Sequence, residues 1–352
     1  MTAVLAPTPV DEAVADTLDS RIRRDPNNFR VLSGDRPTGP LHLGHYVGTL
    51  ANRVRLQDLG VPVTVVIADY QVITDRSDPG PLRDRVRTLV AEYLAAGLDP
   101  DRTVIFPHSA VPALNQLMLP LLSLVTDAEL RRNPTVKAEA LASRRPLGAL
   151  LLTYPVHQAA DILGMDGTVV PVGRDQLPHL ELTRQIARRF NDRYGQVFTP
   201  PEPLLTGTPN LLGTDGAKMS KTRGNTIALG DTADRTAEIV RAAQTDSTRR
   251  ITFEPAARPQ VANLLSIIGE LTGRDPRAVA EEIGDGGAAA LKRRATEAIN
   301  DELAPLRSRR AELIVDPAFL DGVLLDGTAR ATSVAGAVLH RVRRAMGMDY
   351  LG

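Results

Sequence analysis

Residues 61–68 (VPVTVVIA) are rich in β-branched side chains and carry no charge. A strand without a polar face must be covered on both sides, as in a parallel sheet between helices. The surrounding sequence repeats the theme. Short apolar runs at 29–32, 103–106 and 168–172 alternate with helix-period segments at 43–59, 81–98 and 176–194, with Gly60 and Gly195 as stops. Such alternation predicts an α/β fold, a Rossmann-like doubly wound parallel sheet. Residues 111–164 read as a helical insert. Beyond about residue 231 the strand signal fades. Helical periods follow at 231–245, 259–272, 276–283, 287–314 and 328–346, with turns at Gly273, 284–287 and 322–327. Three parts are expected. Residues 1–28 form a weakly structured extension with one short helix near 10–22. Residues 29–230 form the Rossmann-like catalytic domain. Residues 231–352 form an all-helical C-terminal domain.

Composition narrows the function. With 42 basic and 42 acidic residues, no global positive field draws the chain to nucleic acid or membrane. Cysteine is absent, which excludes disulfides and thiolate chemistry and argues against zinc. No apolar run approaches the ~20 residues of a membrane span, and the N-terminus lacks a basic flank followed by an apolar stretch. A cytoplasmic location and no membrane partner are expected. Residues 231–352 hold 17 basic and 18 acidic side chains. Basic clusters there, at 292–294, 307–310 and 341–344, read equally well as solvated helix faces.

Two loops carry chemistry. The first, Pro37-Thr-Gly-Pro-Leu-His42-Leu-Gly44-His45, follows the first strand and opens the first long helix. In a doubly wound sheet that place lies at the carboxyl ends of the strands, where ligands bind. The helix N-terminus offers free N–H groups to phosphate, and Gly44 allows close approach. His42 and His45, at i and i+3, can face one side. The plainer reading is two histidines capping a helix. The second loop is Gly216-Ala-Lys218-Met219-Ser220-Lys221-Thr222. The chain has 38 arginines and only four lysines, at 137, 218, 221 and 292, so a retained lysine signals a need for a compact, mobile ammonium. Two of them three residues apart can follow charge onto a pyrophosphate. The plainer reading is a solvated turn.

The ordered pair resembles the HIGH and KMSKS motifs of class I aminoacyl-tRNA synthetases. Further segments are similar to the bacterial tryptophanyl-tRNA synthetases: Thr153-Tyr-Pro-Val-His-Gln-Ala-Ala-Asp161-Ile-Leu, Val170-Pro-Val-Gly173-Arg-Asp175-Gln176, His179-Leu-Glu-Leu-Thr-Arg184, Thr245-Asp246, Asn263-Leu-Leu and a terminal helix ending Arg344-Ala-Met-Gly. The resemblance runs from about Phe29 to Gly347, specific in the catalytic half and diffuse in the helical half.

It implies activation of L-tryptophan by ATP with Mg²⁺, without a prosthetic group, and transfer to tRNA(Trp) by a homodimer. His42, His45, Lys218 and Lys221 would be catalytic. Arg36, Pro37, Thr38, Gly44 and His45 would lie along ATP. Gly173, Arg174 and Asp175 would hold the adenosine, and Lys218, Met219, Ser220, Lys221 and Thr222 the triphosphate, with Lys137 a weaker match. Asp161 would accept a hydrogen bond from the indole N–H. Gln176 and Tyr154 would orient the amino and carboxylate groups. The Asp161 role is also physical. Indole N–H only donates and a carboxylate only accepts, so the pair penalises phenylalanine. Helix capping is the competing reading for Asp161. His157 and His179 receive no role.

Common bacterial forms carry other residues where Arg36, His45, Gln71 and Gln158 stand. The resemblance implies that Gln71 and Gln158 lie in the tryptophan pocket. The pattern resembles a divergent bacterial subclass noted for tolerating tryptophan-mimicking inhibitors. The rivals are a tyrosyl-tRNA synthetase, a small-molecule nucleotidyltransferase and a synthetase paralogue that binds tryptophan or tRNA as a regulator.

Overall fold

The computed structural model describes residues 17–74, 78–143, 146–205, 211–217, 219 and 223–350. Five strands form one parallel sheet: β1 (Val31–Asp35), β2 (Val63–Ile67), β3 (Thr103–Pro107), β4 (Val169–Val172) and β5 (Glu202–Leu205), in the order β3-β2-β1-β4-β5. The chain builds outward from β1 to β3, then returns to β4 beside β1. That reversal is the topological switch point of a doubly wound sheet.

The helices are α1 (Leu18–Arg24), α2 (Leu43–His45), α3 (Ala51–Asp58), α4 (Leu82–Ala95), α5 (Pro112–Leu122), α6 (Asp127–Arg132), α7 (Pro134–Ser143), α8 (Ala149–Gly164), α9 (Leu177–Tyr194), α10 (Ala233–Ala242), α11 (Pro259–Thr272), α12 (Pro276–Ile283), α13 (Gly287–Ile314) and α14 (Pro317–Ala345). A π turn, Tyr46–Leu50, joins α2 to α3. None of the described helices is long and apolar enough to cross a membrane.

Successive strand residues enter opposite cores, as the two-residue period requires. Val31, Val63, Val65, Ile67, Ile105 and Val169 join a core with α4, α11 and α13. Leu32, Val66, Phe106, Val170 and Val172 join another with α5, α8, α9 and α14. The apolar run at 61–68 is continuous because both faces of β2 are covered.

The structure corrects several expectations. The first strand lies at Val31–Asp35 rather than 29–32. Parallel pairing with β2 continues through Ser33, Gly34 and Asp35, so Gly34 is a strand residue. A Cβ there would lie 2.5 Å from Val66. Near the N-terminus the described helix is Leu18–Arg24, and residues 1–16 lie outside the described residues. Strand β5 was not expected. It is a short edge element whose Pro201 and Pro203 disguise it. No turn occurs at 322–327, which lies inside α14.

The C-terminal helices share their core with the sheet. Helix α13 packs on α4, α10 and α11, and α14 packs on β3 and α5. Several residues of the basic clusters brace the fold. Arg307 bonds Asn300 and Thr236, Arg310 pairs with Glu92, Arg341 with Asp166, and Arg343 bonds Gln116.

Candidate active site

β1 and β4 are in register only at Val31–Val169. Pro171 removes one ladder donor from β4. Beyond that pair, the carboxyl ends of both strands border a cavity of about 400 Å³. The place is the one the topology reserves for a ligand.

The first loop enters the cavity at its floor. His42 is the N-cap of α2, and its N–H donates to His45 Nδ1 at 3.2 Å. The imidazole rings are 3.7 Å apart. The capping reading is therefore correct as local structure, and it aims the loop. Gly44 and His45 line the cavity, whereas the buried His42 does not. The loop is pinned from behind: Leu43 N–H donates to Ile227 O at 2.9 Å and Leu229 N–H to Leu41 O at 3.0 Å. The π turn that follows re-aims the helix at this site.

Of the second loop, Lys218, Ser220, Lys221 and Thr222 lie outside the described residues. Met219 is described and buried. A Cβ on Gly44 would lie 3.1 Å from its Sδ. The two loops, distant in sequence, therefore meet.

Tyr154, Gln158 and Asp161 are spaced four and three residues apart on α8, which places them on one helix face. All three line the cavity, as do Gln71, Gln176, Arg36 and Gly173. Pro37, Thr38, Arg174 and Met219 do not form its wall, and Arg174 is exposed. The side chain of Asp175 lies outside the described residues. Tyr154 Oη is 2.5 Å from His179 Nε2, and His179 Nδ1 is 3.2 Å from Asn133 Nδ2. His179 thus holds Tyr154 from behind.

Asp161 is 2% exposed, and its Oδ1 is hydrogen-bonded to His108 Nδ1. His108, His157 and Asp161 bring their potential ligand atoms within 4.8 Å of one another. The two imidazoles, however, meet ring against ring, with centres 3.9 Å apart and planes tilted by 44°. In-plane lone pairs of stacked rings do not converge on one ion, and both His108 nitrogens are already bonded. The geometry is that of a hydrogen-bonded pair with a stacked neighbour.

Sequence reasoning missed His108, Asp35 and Arg53. Arg53 Nη1 bonds Asp35 Oδ2 at 2.6 Å, and both residues line the cavity. Burial pushes the Asp35 carboxyl up, but the charge and hydrogen bond of Arg53, with His45 and Tyr93, outweigh it and hold it down at about 2. The available signal was position. Asp35 ends one strand and His108 directly follows another, both at the carboxyl edge of the sheet.

The family model described as tRNA synthetases class I (W and Y) matches residues 24–304. The chain belongs to this family of class I synthetases. Within it, the tryptophan–tRNA ligase of Treponema pallidum (strain Nichols) is 41% identical over 341 residues, covering 91% of this chain and 97% of that protein. The tryptophan–tRNA ligase of Clostridium longisporum is 40% identical over 334 residues, with 91% and 97% covered. The crystal structure of Campylobacter jejuni tryptophanyl-tRNA synthetase complexed with ADP and tryptophan matches with a TM-score of 0.78 at 29% identity, covering 91% of this chain and all of that one (100%).

Proposed function

We infer that this enzyme ligates L-tryptophan to tRNA(Trp), the activity of a tryptophan–tRNA ligase. One observation carries the choice of amino acid. A buried carboxylate, Asp161, lines the cavity at the β1–β4 switch point. The names of its relatives at about 40% identity agree.

The tryptophan carboxylate attacks the α-phosphorus of ATP, and pyrophosphate leaves. The adenylate then passes its acyl group to the 3′ end of the tRNA. The attacking carboxylate is already ionised, so the first step needs no general base. It needs alignment and charge stabilisation. His45 and Gly44, at the α2 N-terminus, face the phosphates. Lys218 and Lys221 follow charge onto the leaving pyrophosphate. Mg²⁺ arrives with ATP as part of the substrate. Tyr154 and Gln176 orient the amino acid. The helical region from residue 231 contacts tRNA, and a homodimer in the cytoplasm follows from the family resemblance.

Arg36, His45, Gln71 and Gln158, the positions that depart from common bacterial forms, all line the cavity. This supports an altered affinity for indole-bearing inhibitors. Equal inhibition of this enzyme and a common-form enzyme by one such analogue would refute it.

ATP–pyrophosphate exchange across all twenty amino acids tests the assignment. Exchange is expected with tryptophan. Preference for tyrosine, or no exchange at all, overturns it in favour of a tyrosyl enzyme or a regulator. Lys218→Ala and Lys221→Ala should each lower the activation rate on the order of 100-fold or more, with tryptophan affinity changed far less. The reverse pattern removes these lysines from the triphosphate site.

A further inference from the structure

Behind the cavity wall, against Asp161, sits a buried imidazole that the activation chemistry leaves unused. His108 follows β3 and is fully buried. Its Nδ1 is hydrogen-bonded to Asp161 Oδ1, and its Nε2 lies 3.1 Å from Asn115 Oδ1. Carboxylate and amide oxygens accept. With the Asn115 amide oxygen turned to the ring, both contacts are satisfied when both ring nitrogens carry protons. Asp161 Oδ2 has no hydrogen-bond partner among the described residues, although Asp161 lines the cavity. One carboxylate oxygen is tied to the protein and the other is left for a ligand.

We propose that His108, as an imidazolium braced by Asn115, is the positioning residue of the amino-acid pocket: it clamps Asp161 Oδ1, fixes the direction of that carboxylate and presents Oδ2 to a ring N–H. The proposal rests on the reading of Asp161 as the indole partner and supplies what that reading lacks. A hydrogen bond from a ring N–H is directional. A carboxylate held at one oxygen presents the other in a fixed direction, which a freely turning one would not.

The neighbours fit this role. Asp69 and Tyr70 face His108 from the segment after β2, Asn115 from α5, and His157 and Asp161 from α8. Burial opposes the cation, but Asp161, Asn115 and Asp69 outweigh it and raise the His108 pKa above its ordinary value. His157, stacked on His108, is pushed down by burial, with the His108 charge adding to the effect. The Asp161 charge pulls the other way without overcoming the burial, and His157 fills the space behind His108 as a packed neighbour.

The test compares pyrophosphate exchange with tryptophan and with 1-methyltryptophan, whose ring nitrogen cannot donate. His108→Ala should raise KM for tryptophan on the order of 10-fold, with a smaller change in kcat, and should reduce the preference over the methylated analogue. His108→Gln supplies a donor without charge and should recover part of the lost KM. In the wild type, kcat/KM for tryptophan should fall as pH rises through a His108 pKa above 6.5. That alkaline limb should vanish in His108→Gln, which a packing role alone would not cause. Wild-type KM and preference in both variants overturn the proposal. Asp161→Asn separates the two ideas. If it abolishes the preference while the His108 variants keep it, only the clamp fails. If it too keeps the preference, the indole reading fails and the clamp with it. Should the variants not fold, ¹⁵N NMR of the wild-type ring decides. Two protonated nitrogens at neutral pH support the clamp, and a single neutral tautomer refutes it.

Discussion

Arg53 is 1% exposed, and its charge is answered locally. Nη1 reaches Asp35 Oδ2 at 2.6 Å, Nε reaches Ser33 Oγ at 2.8 Å, and the Tyr93 hydroxyl donates to the same Asp35 oxygen at 2.8 Å. The guanidinium carbon sits 5.6 Å from the Tyr93 ring centre. This network holds the last residue of β1 rigid beside His45. The Asp35 carboxyl is depressed to about 2 in the fold. A depressed acid contributes stability above its unfolded pKa and loses it as pH falls through the folded one. The window therefore lies between about 4 and 2. Asp35→Asn should cost roughly 2 kcal/mol at pH 7, and the gap to wild type should close across that window in urea unfolding curves. An unchanged gap at pH 3 would contradict this account. Neither residue stood out in the sequence. Arg53 is one of 38 arginines, and only the return of α3 over β1 makes the pair.

At the scale of elements, glycine was the ambiguous letter. Gly322 and Gly327 read as a turn but lie within the 29-residue α14. They differ physically. A Cβ on Gly327 would lie 1.9 Å from the Ile105 carbonyl oxygen, while one on Gly322 meets nothing within 4 Å. Gly327 lets the helix backbone lie directly on β3. Gly327→Ala should destabilise the protein by about 1–3 kcal/mol, because backbone must move. Gly322→Ala should be neutral or stabilising by up to ~1 kcal/mol through helix propensity. Thermal melts of the two variants check both, and equal effects would remove the packing explanation. By contrast, Gly60 and Gly195 stop helices as read, because both adopt positive φ, 86° and 99°.

Across the whole molecule, the helical half braces the His42 loop. Glu92 on α4 is fully buried. It accepts the Leu41 N–H at 2.7 Å, immediately before His42, and pairs with Arg310 of α13 at 3.3 Å. Tyr46, in the π turn, donates to Glu302 of α13 at 2.5 Å. Arg310→Ala removes the guanidinium from a buried carboxylate and should cost on the order of 3 kcal/mol. KM for ATP should rise more than KM for tryptophan, because the brace ends on the His42 loop and not on α8. Equal KM values to wild type would show that the brace serves folding alone.

Local pattern already specified the strand–helix alternation, the parallel sheet and the His42–His45 loop, while the family resemblance singled out Tyr154, Gln158 and Asp161. Those features depend on residue spacing along one element, which the linear order records. Tertiary structure alone decided the β5 edge, the passage of α14 over β3, the Asp35–Arg53 pair and the His108 contact to Asp161. Each joins segments far apart in the chain, and the partners become visible only when packing brings them within hydrogen-bonding or van der Waals distance.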